Sequence, residues 1–281
     1  MISPSKVSRL ETGQRGASAR DIRDLCNLYG LGEEQRRHLT DLAAEGKQHA
    51  WWQSFDLSYS TYIGLESEAT SIRDFGLGVI PGLFQVRDYA QAVTQAVVSV
   101  SHHAPGAAER MVEGRMIRQQ RILGAGNPPQ IETIMDVAVL HRVVGGKAIM
   151  RAQLQHLLAV SELPNVTIRV IPYEAGVLPV PNNKFIVLGF AGLALPEVVY
   201  IEALTGELYL EQEEQIETYK AAFQALRNLA ASPEASRGII TSALAVLRML
   251  RVALWHRMPT ASLRSVSVRP SQGHAPSQQA H

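Results

Sequence analysis

The hydrophobic period of this chain changes part-way along it, and that change restricts the fold more than any other feature. Up to about residue 123 apolar side chains recur at helical spacing. Beyond that the period falls toward 2, and residues 131–140, 166–171, 184–189 and 198–202 read as strands, with a helix over 147–161 between the first two. Short Gly/Pro/Asn turns separate the later strands. This order argues an α+β fold with a mainly antiparallel sheet.

Punctuation divides the helical part. Ser3-Pro4 places a capping hydroxyl before a proline, and a helix then runs through Lys6, Val7 and Leu10 to Gly13. Ser18 or Ala19 opens a second helix, with Ile22, Leu25 and Leu28 on one face and Gly30 at its end. A third covers 33–48, with Leu39, Leu42 and Ala43 inward. The segment WWQSFDLSYSTY at 51–62 carries five aromatics and reads as a packed junction. Past it come an amphipathic stretch at 62–69, a short strand at 71–75, the turn Ile80-Pro81-Gly82, and helices at 87–98 and 109–123. Two helices, 212–229 and 233 to about 255, close the body. The expected organisation is a partial all-α module at 1–50, a larger α+β domain at 51–236, an amphipathic helix at 237–258 and a disordered basic tail at 259–281.

Composition narrows the class. With 46% apolar and 19% charged residues the chain suits a globular protein, not a rod or a disordered tract. The lone Cys26 excludes an internal disulfide and any site needing two thiolates of one chain. The opening residues lack a charged n-region and an apolar h-region, so the cytoplasm is the expected compartment. A net charge of +1 conceals an asymmetry: residues 1–23 carry +3, residues 24–236 carry −8, and residues 237–281 carry +6. Basic ends on an acidic body suit contact between the ends and a polyanion. The apolar run at 238–255 contains Arg248 and Arg251, which reads as a packed amphipathic helix and not a membrane span.

The chemistry concentrates in SPSKVSRLETGQRG, residues 3–16. A short helix here presents Ser5, Lys6 and Arg9 outward and leads into a loop bearing Gln14 and Arg15. Arg9 can bond a guanine edge in bidentate fashion, Ser5 is short enough to lie against a base, Lys6, Gln14 and Arg15 can reach phosphates, and Ser3 at the helix start completes the candidate DNA-binding set. The stretch resembles the recognition helix of Xre/Cro-type helix-turn-helix regulators, close to SxxxVSRxExG, and GASARDIRDLCNLYG resembles the helix that follows it. Further landmarks resemble the domain called DUF5753 that follows such modules in many actinobacterial regulators: WWQ at 51–53, YIGLESEA at 62–69, IPGLFQVRDYA at 80–90, MRAQLQHLL at 150–158, LPNVTIRVIPYEAG at 163–176, VVYIEALTGELYLE at 198–211 and YKAAFQALR at 219–227. The resemblance implies two further helices ahead of residue 1, so the chain reads as an N-terminally truncated member. It also implies a small DUF397-type protein as a partner.

Other chemistry reads as structure. His102-His103 sits beside Pro105-Gly106 in a loop, and no metal site is expected. Glu66 with Glu68, and Glu202 with Glu207, read as structural or solvated carboxylates without a catalytic partner. Gly145-Gly146-Lys147 lacks the spacing of a phosphate loop and reads as a turn and helix start. Cys26 reads as a small buried hydrophobe. Trp51, Trp52, Phe55, Tyr59 and Tyr62 read as packing at the junction. The function expected is a DNA-binding transcriptional regulator, no enzyme and without a cofactor. Its helix at residues 3–11 reads the major groove as part of a homodimer, and its α+β domain serves dimerisation, partner binding or signal reception. The alternative is an interaction protein that binds a regulator or a DUF397-type partner without reading DNA.

Overall fold

The computed structural model describes residues 3, 6, 7, 10, 17–45, 60–100, 105–180, 184–191, 196–203 and 206–249, with the backbone alone at 42, 44, 45, 60, 248 and 249. The expectations for Trp51, Trp52, Phe55, Tyr59, His102, His103 and residues 250–281 lie outside the described residues.

Local chemistry defines the first helices. Ser18 starts α1 (Ala19–Tyr29): its hydroxyl accepts from the Asp21 N–H at 3.2 Å, and the Asp21 carboxylate accepts from the Ser18 N–H at 3.1 Å. These two bonds form a capping box. Gly30 ends the helix at φ 67°, a left-handed turn that glycine enters without a Cβ penalty, and its N–H returns to the Cys26 carbonyl. Next comes α2 (Glu33–Glu45), with Glu33 and Glu34 at the positive end of its dipole. Ile22 and Leu25 are half-buried as expected, but Leu28 is 65% exposed, while Cys26 and Asp21 take the inner positions. Each three-residue step falls about 60° short of a full helical turn, so the two steps from Ile22 to Leu28 rotate about 120° off the buried face.

The remaining order is α3 (Ser60–Glu68), β1 (Ser71–Gly76), α4 (Arg87–Val98), α5 (Ala107–Leu123), β2 (Gln130–Asp136), α6 (Ala138–His141), α7 (Lys147–Val160), β3 (Val166–Ile171), β4 (Phe185–Gly189), β5 (Val198–Ala203), β6 (Gly206–Leu210), α8 (Glu213–Leu229) and α9 (Pro233–Met249). One six-stranded sheet runs β3-β2-β1-β4-β5-β6. The pairings β1–β4, β4–β5 and β5–β6 are antiparallel, as expected, whereas β1–β2 and β2–β3 are parallel, so the sheet is mixed. The parallel half follows from its helical connections, α4 and α5 before β2 and α7 before β3, which return the chain to the same sheet end. The strand expected at 131–140 stops at Asp136. There the carboxylate accepts from the Ala138 N–H at 2.7 Å and turns the chain into α6.

Two apolar layers sandwich the sheet. One face, including Ile72, Ile131, Ile168, Leu188 and Tyr200, packs under α3, α4, α7 and α9. Opposite it, Phe75, Ile134, Phe185, Val199 and Ile201 pack under α8 through Ile216, Phe223 and Leu226. Within α9, Ile240, Leu244 and Leu247 are buried on one face, as the amphipathic reading of the run at 238–255 expects.

Candidate nucleic-acid interface and a buried ionic cluster

At the N-terminus the Ser3 carbonyl accepts from the N–H groups of Lys6 at 2.9 Å and Val7 at 3.0 Å, which begins a helical turn. Lys6, Val7 and Leu10 are helical, and the two apolar residues are half-buried. Lys6 reaches across to α1 and forms an ion pair with Asp21, leaving its own side chain 26% exposed. That lysine and the Ser18 bonds hold the Asp21 carboxyl well below the usual carboxylate range. The sequence pattern places Lys6 on the outward face alone; in the structure its ammonium also ties the first turn to α1. Ser3 is exposed. Ser5, Arg9, Gln14 and Arg15 lie outside the described residues.

The larger domain holds a second concentration of charge. Glu66, on α3, is fully buried and its Oε2 lies 2.8 Å from Nε of Arg118, on α5, whose side chain is 8% exposed. Oε1 of the same carboxylate accepts from the Tyr62 hydroxyl at 2.5 Å. Arg118 lies over the Tyr62 ring, 5.7 Å from its centroid, and Tyr62 stacks on Tyr200 at 4.2 Å. Burial pushes Glu66 upward while Arg118 and Tyr62 pull it down. On the same sheet face the register sets Thr133, Asp74, Ile186, Tyr200 and Tyr209 side by side across β2, β1, β4, β5 and β6. Asp74 is pushed up to about 7 by burial, with the positive charge of Lys184 opposing and the negative charge of Glu66 reinforcing the shift. Glu202 and Glu207 face each other on β5 and β6. The first pairs with Lys184 and the second accepts from the Tyr209 hydroxyl.

Among known families, the model of one described as a domain of unknown function (DUF5753) matches residues 59–242. The chain belongs to the DUF5753 family. A second family model, described as a helix-turn-helix domain, matches residues 1–39 and supports a DNA-binding role for the N-terminal module. No curated protein and no solved structure matches the chain.

Several landmarks of the DUF5753 domain have a structural explanation. The segment IPGLFQ is clamped by glutamine side chains, of which Gln85 and Gln153 are buried and Gln119 is half-buried. The Gln85 amide donates to the Ile80 carbonyl at 2.6 Å, and that of Gln119 to the Gly82 carbonyl at 2.6 Å. Gln153 donates to the Phe84 carbonyl at 2.6 Å and accepts from the Val86 N–H at 2.8 Å. Gly145-Gly146 is a turn before α7, as read from sequence. Glu66 is buried in its ion pair with Arg118 and Glu68 is exposed. On the far face a cleft of about 230 Å³ is lined by Arg73, Lys220, Phe223, Gln224 and Arg227. Glu197 pairs with Arg73 and Lys220, and Glu132 with Arg227, so these charges pin α8 to the sheet. Arg118, Asp74 and Thr133 are absent from the residues that the sequence pattern singles out. The available signal was Asp74 alone, a charge at an inward position of the strand SIRDFG.

Proposed function

We propose that this protein is a cytoplasmic transcriptional regulator of the Xre/Cro type that binds DNA as a homodimer. In this reading the helix at residues 3–11 enters the major groove: Arg9 and Ser5 meet base edges, Lys6, Gln14 and Arg15 meet the phosphate backbone, and Ser3 stands at the helix start within the same DNA-binding set. The observation that carries the reading is the helix-turn-helix match over residues 1–39. The Lys6–Asp21 pair supports it, because a reading helix must be held at a fixed angle on its neighbour. Two copies place two readers on half-sites about 34 Å apart. The DUF5753 domain serves dimerisation, signal reception or contact with a DUF397-type partner, and no reaction on a substrate is part of the proposal.

The test is selection of genomic fragments by the full chain at two salt concentrations, beside Arg9→Ala. Fragments that are enriched at both and lost with Arg9→Ala support the reading. Binding that vanishes with salt and ignores Arg9→Ala overturns it, because a purely phosphate-driven contact is salt-sensitive and blind to sequence.

A further inference from the structure

The ionic cluster of the DUF5753 domain contains polar groups that its own packing does not satisfy. Thr133 is fully buried, and its hydroxyl has no hydrogen-bond partner among the described residues. Asp74, its register neighbour on the same face, is 9% exposed; the influences on its carboxyl are burial and the charges of Lys184, Glu66 and Arg118, with no hydrogen bond among them. A buried hydroxyl left unbonded is costly, and the nearly buried Asp74 carboxyl beside it offers an acceptor that one partner could share with Thr133.

The surroundings select its charge. Among the described residues four carboxylates, Glu66, Asp74, Glu202 and Glu207, share this face with Arg118 and Lys184, and Arg115 lies beside Arg118 at Gly82. An anion would meet this negative excess, and a neutral molecule would leave it in place. Three tyrosines line the same region: Tyr62 stacks on Tyr200, and Tyr200 lies 5.4 Å from Tyr209. Arg118 already uses the Tyr62 face as a cation platform. The carboxylates grade from the interior to solvent, from fully buried Glu66 through Asp74 to Glu202, whose side chain is 46% exposed.

We propose that this face of the sheet, between Asp74 and Thr133 within and Glu202 and Glu207 at the rim, binds a small organic cation with several N–H donors, an alkylammonium or a guanidinium. The N–H groups bond the Asp74 carboxylate and the Thr133 hydroxyl, and the tyrosines flank the alkyl part. The proposal concerns the DUF5753 domain alone and stands whether or not the N-terminal module reads DNA.

Binding also carries a proton signature. The charged groups acting on Asp74 are Glu66 from α3, Arg118 from α5 and Lys184 before β4, while Thr133 on β2 and Ile186 on β4 flank it in the register. With Asp74 near 7 in the free protein, a bound cation favours the ionised carboxylate, so complex formation at pH 7 releases a proton. Affinity then rises with pH, and from pH 8 to pH 5.5 it weakens by roughly tenfold or more.

The experiment is calorimetric titration of the full chain with agmatine, which carries an ammonium and a guanidinium. It is run at pH 7 in two buffers of different ionisation enthalpy, then at pH 8 and pH 5.5. Saturable binding with proton release, weaker at pH 5.5, is the expected result, with inorganic phosphate giving no heat. Asp74→Asn is expected to weaken agmatine at least tenfold and Thr133→Val severalfold. No saturable binding to the wild-type chain at millimolar agmatine, equal binding of phosphate, or an affinity independent of pH overturns the proposal. So does an unchanged affinity in folded Asp74→Asn. The pH and buffer arms use the wild-type chain, so they support or overturn the proposal even where a variant fails to fold.

Discussion

Glu66 and Arg118 meet at 2.8 Å in the interior of the domain and join α3 to α5. Removal of either partner strands the other charge away from water, which costs about 3–5 kcal/mol, whereas removal of both leaves no orphan. Glu66→Gln and Arg118→Met should each lower the urea midpoint sharply, and the double variant should lose much less than the sum. Strict additivity of the two losses would show that the charges do not depend on each other.

The N-terminal module should weaken in acid through Asp21. Its carboxyl is held below the usual range first by Lys6 and then by Ser18, so ionised Asp21 favours the folded form. A depressed carboxyl contributes fully above its unfolded value, about pH 4, and the contribution is lost as pH falls below it toward the lowered folded value. Amide exchange in α1, corrected for intrinsic rates, should show protection falling from pH 5 toward pH 3 in the wild-type chain. Asp21→Asn should be less protected at pH 6 and nearly flat over that range. Ser18→Ala removes the capping hydroxyl as well and should cost about 1 kcal/mol of local stability.

What was legible in the sequence was the local part. Ser18 and Gly30 bracket α1, Gly145-Gly146 precedes α7, and Ile240, Leu244 and Leu247 mark the buried stripe of α9, because caps, turns and helical periods act within a few residues. Pairing between distant segments was hidden. Neither the parallel β1–β2–β3 half nor the meeting of Glu66 with Arg118 leaves a spacing that the chain displays, since both arise when remote elements dock. Leu28 departs from expectation for a different reason: two three-residue steps from Ile22 carry it about 120° around the helix, off the buried face, and an apolar side chain is not obliged to be buried. At the candidate interface the residue types of the first helix were readable, but the pairing of Lys6 with Asp21 required the packed geometry.

Gln153 is a structural clamp and not a spare polar residue. Its amide serves both the Phe84 carbonyl and the Val86 N–H, which hold the loop ahead of α4. Gln153→Leu keeps much of the volume but leaves both backbone groups without this partner, at about 1–3 kcal/mol for each buried group. A drop in denaturation midpoint larger than that of Gln35→Leu, on the exposed side of α2, is the expected outcome. Equal effects would remove the clamp.

The approach of Arg118 to the loop gives a sharper test of the cluster. A Cβ placed on Gly82 would lie 2.8 Å from Nη2 of Arg118, closer than two such atoms can stay. The guanidinium cannot swing aside freely, because Glu66 holds its Nε and the Tyr62 ring lies against its face. Gly82→Ala should therefore displace a buried ion and cost about 1–3 kcal/mol, the usual range for overpacking. In an Arg118→Met background the obstructing atom is gone, and the same substitution should cost little. Denaturation of the four members of this cycle gives the coupling directly, and a value above about 0.5 kcal/mol is expected for residues in contact. If Gly82→Ala costs the same in both backgrounds, the glycine is required by the loop and not by Arg118, and the cluster does not extend to the loop.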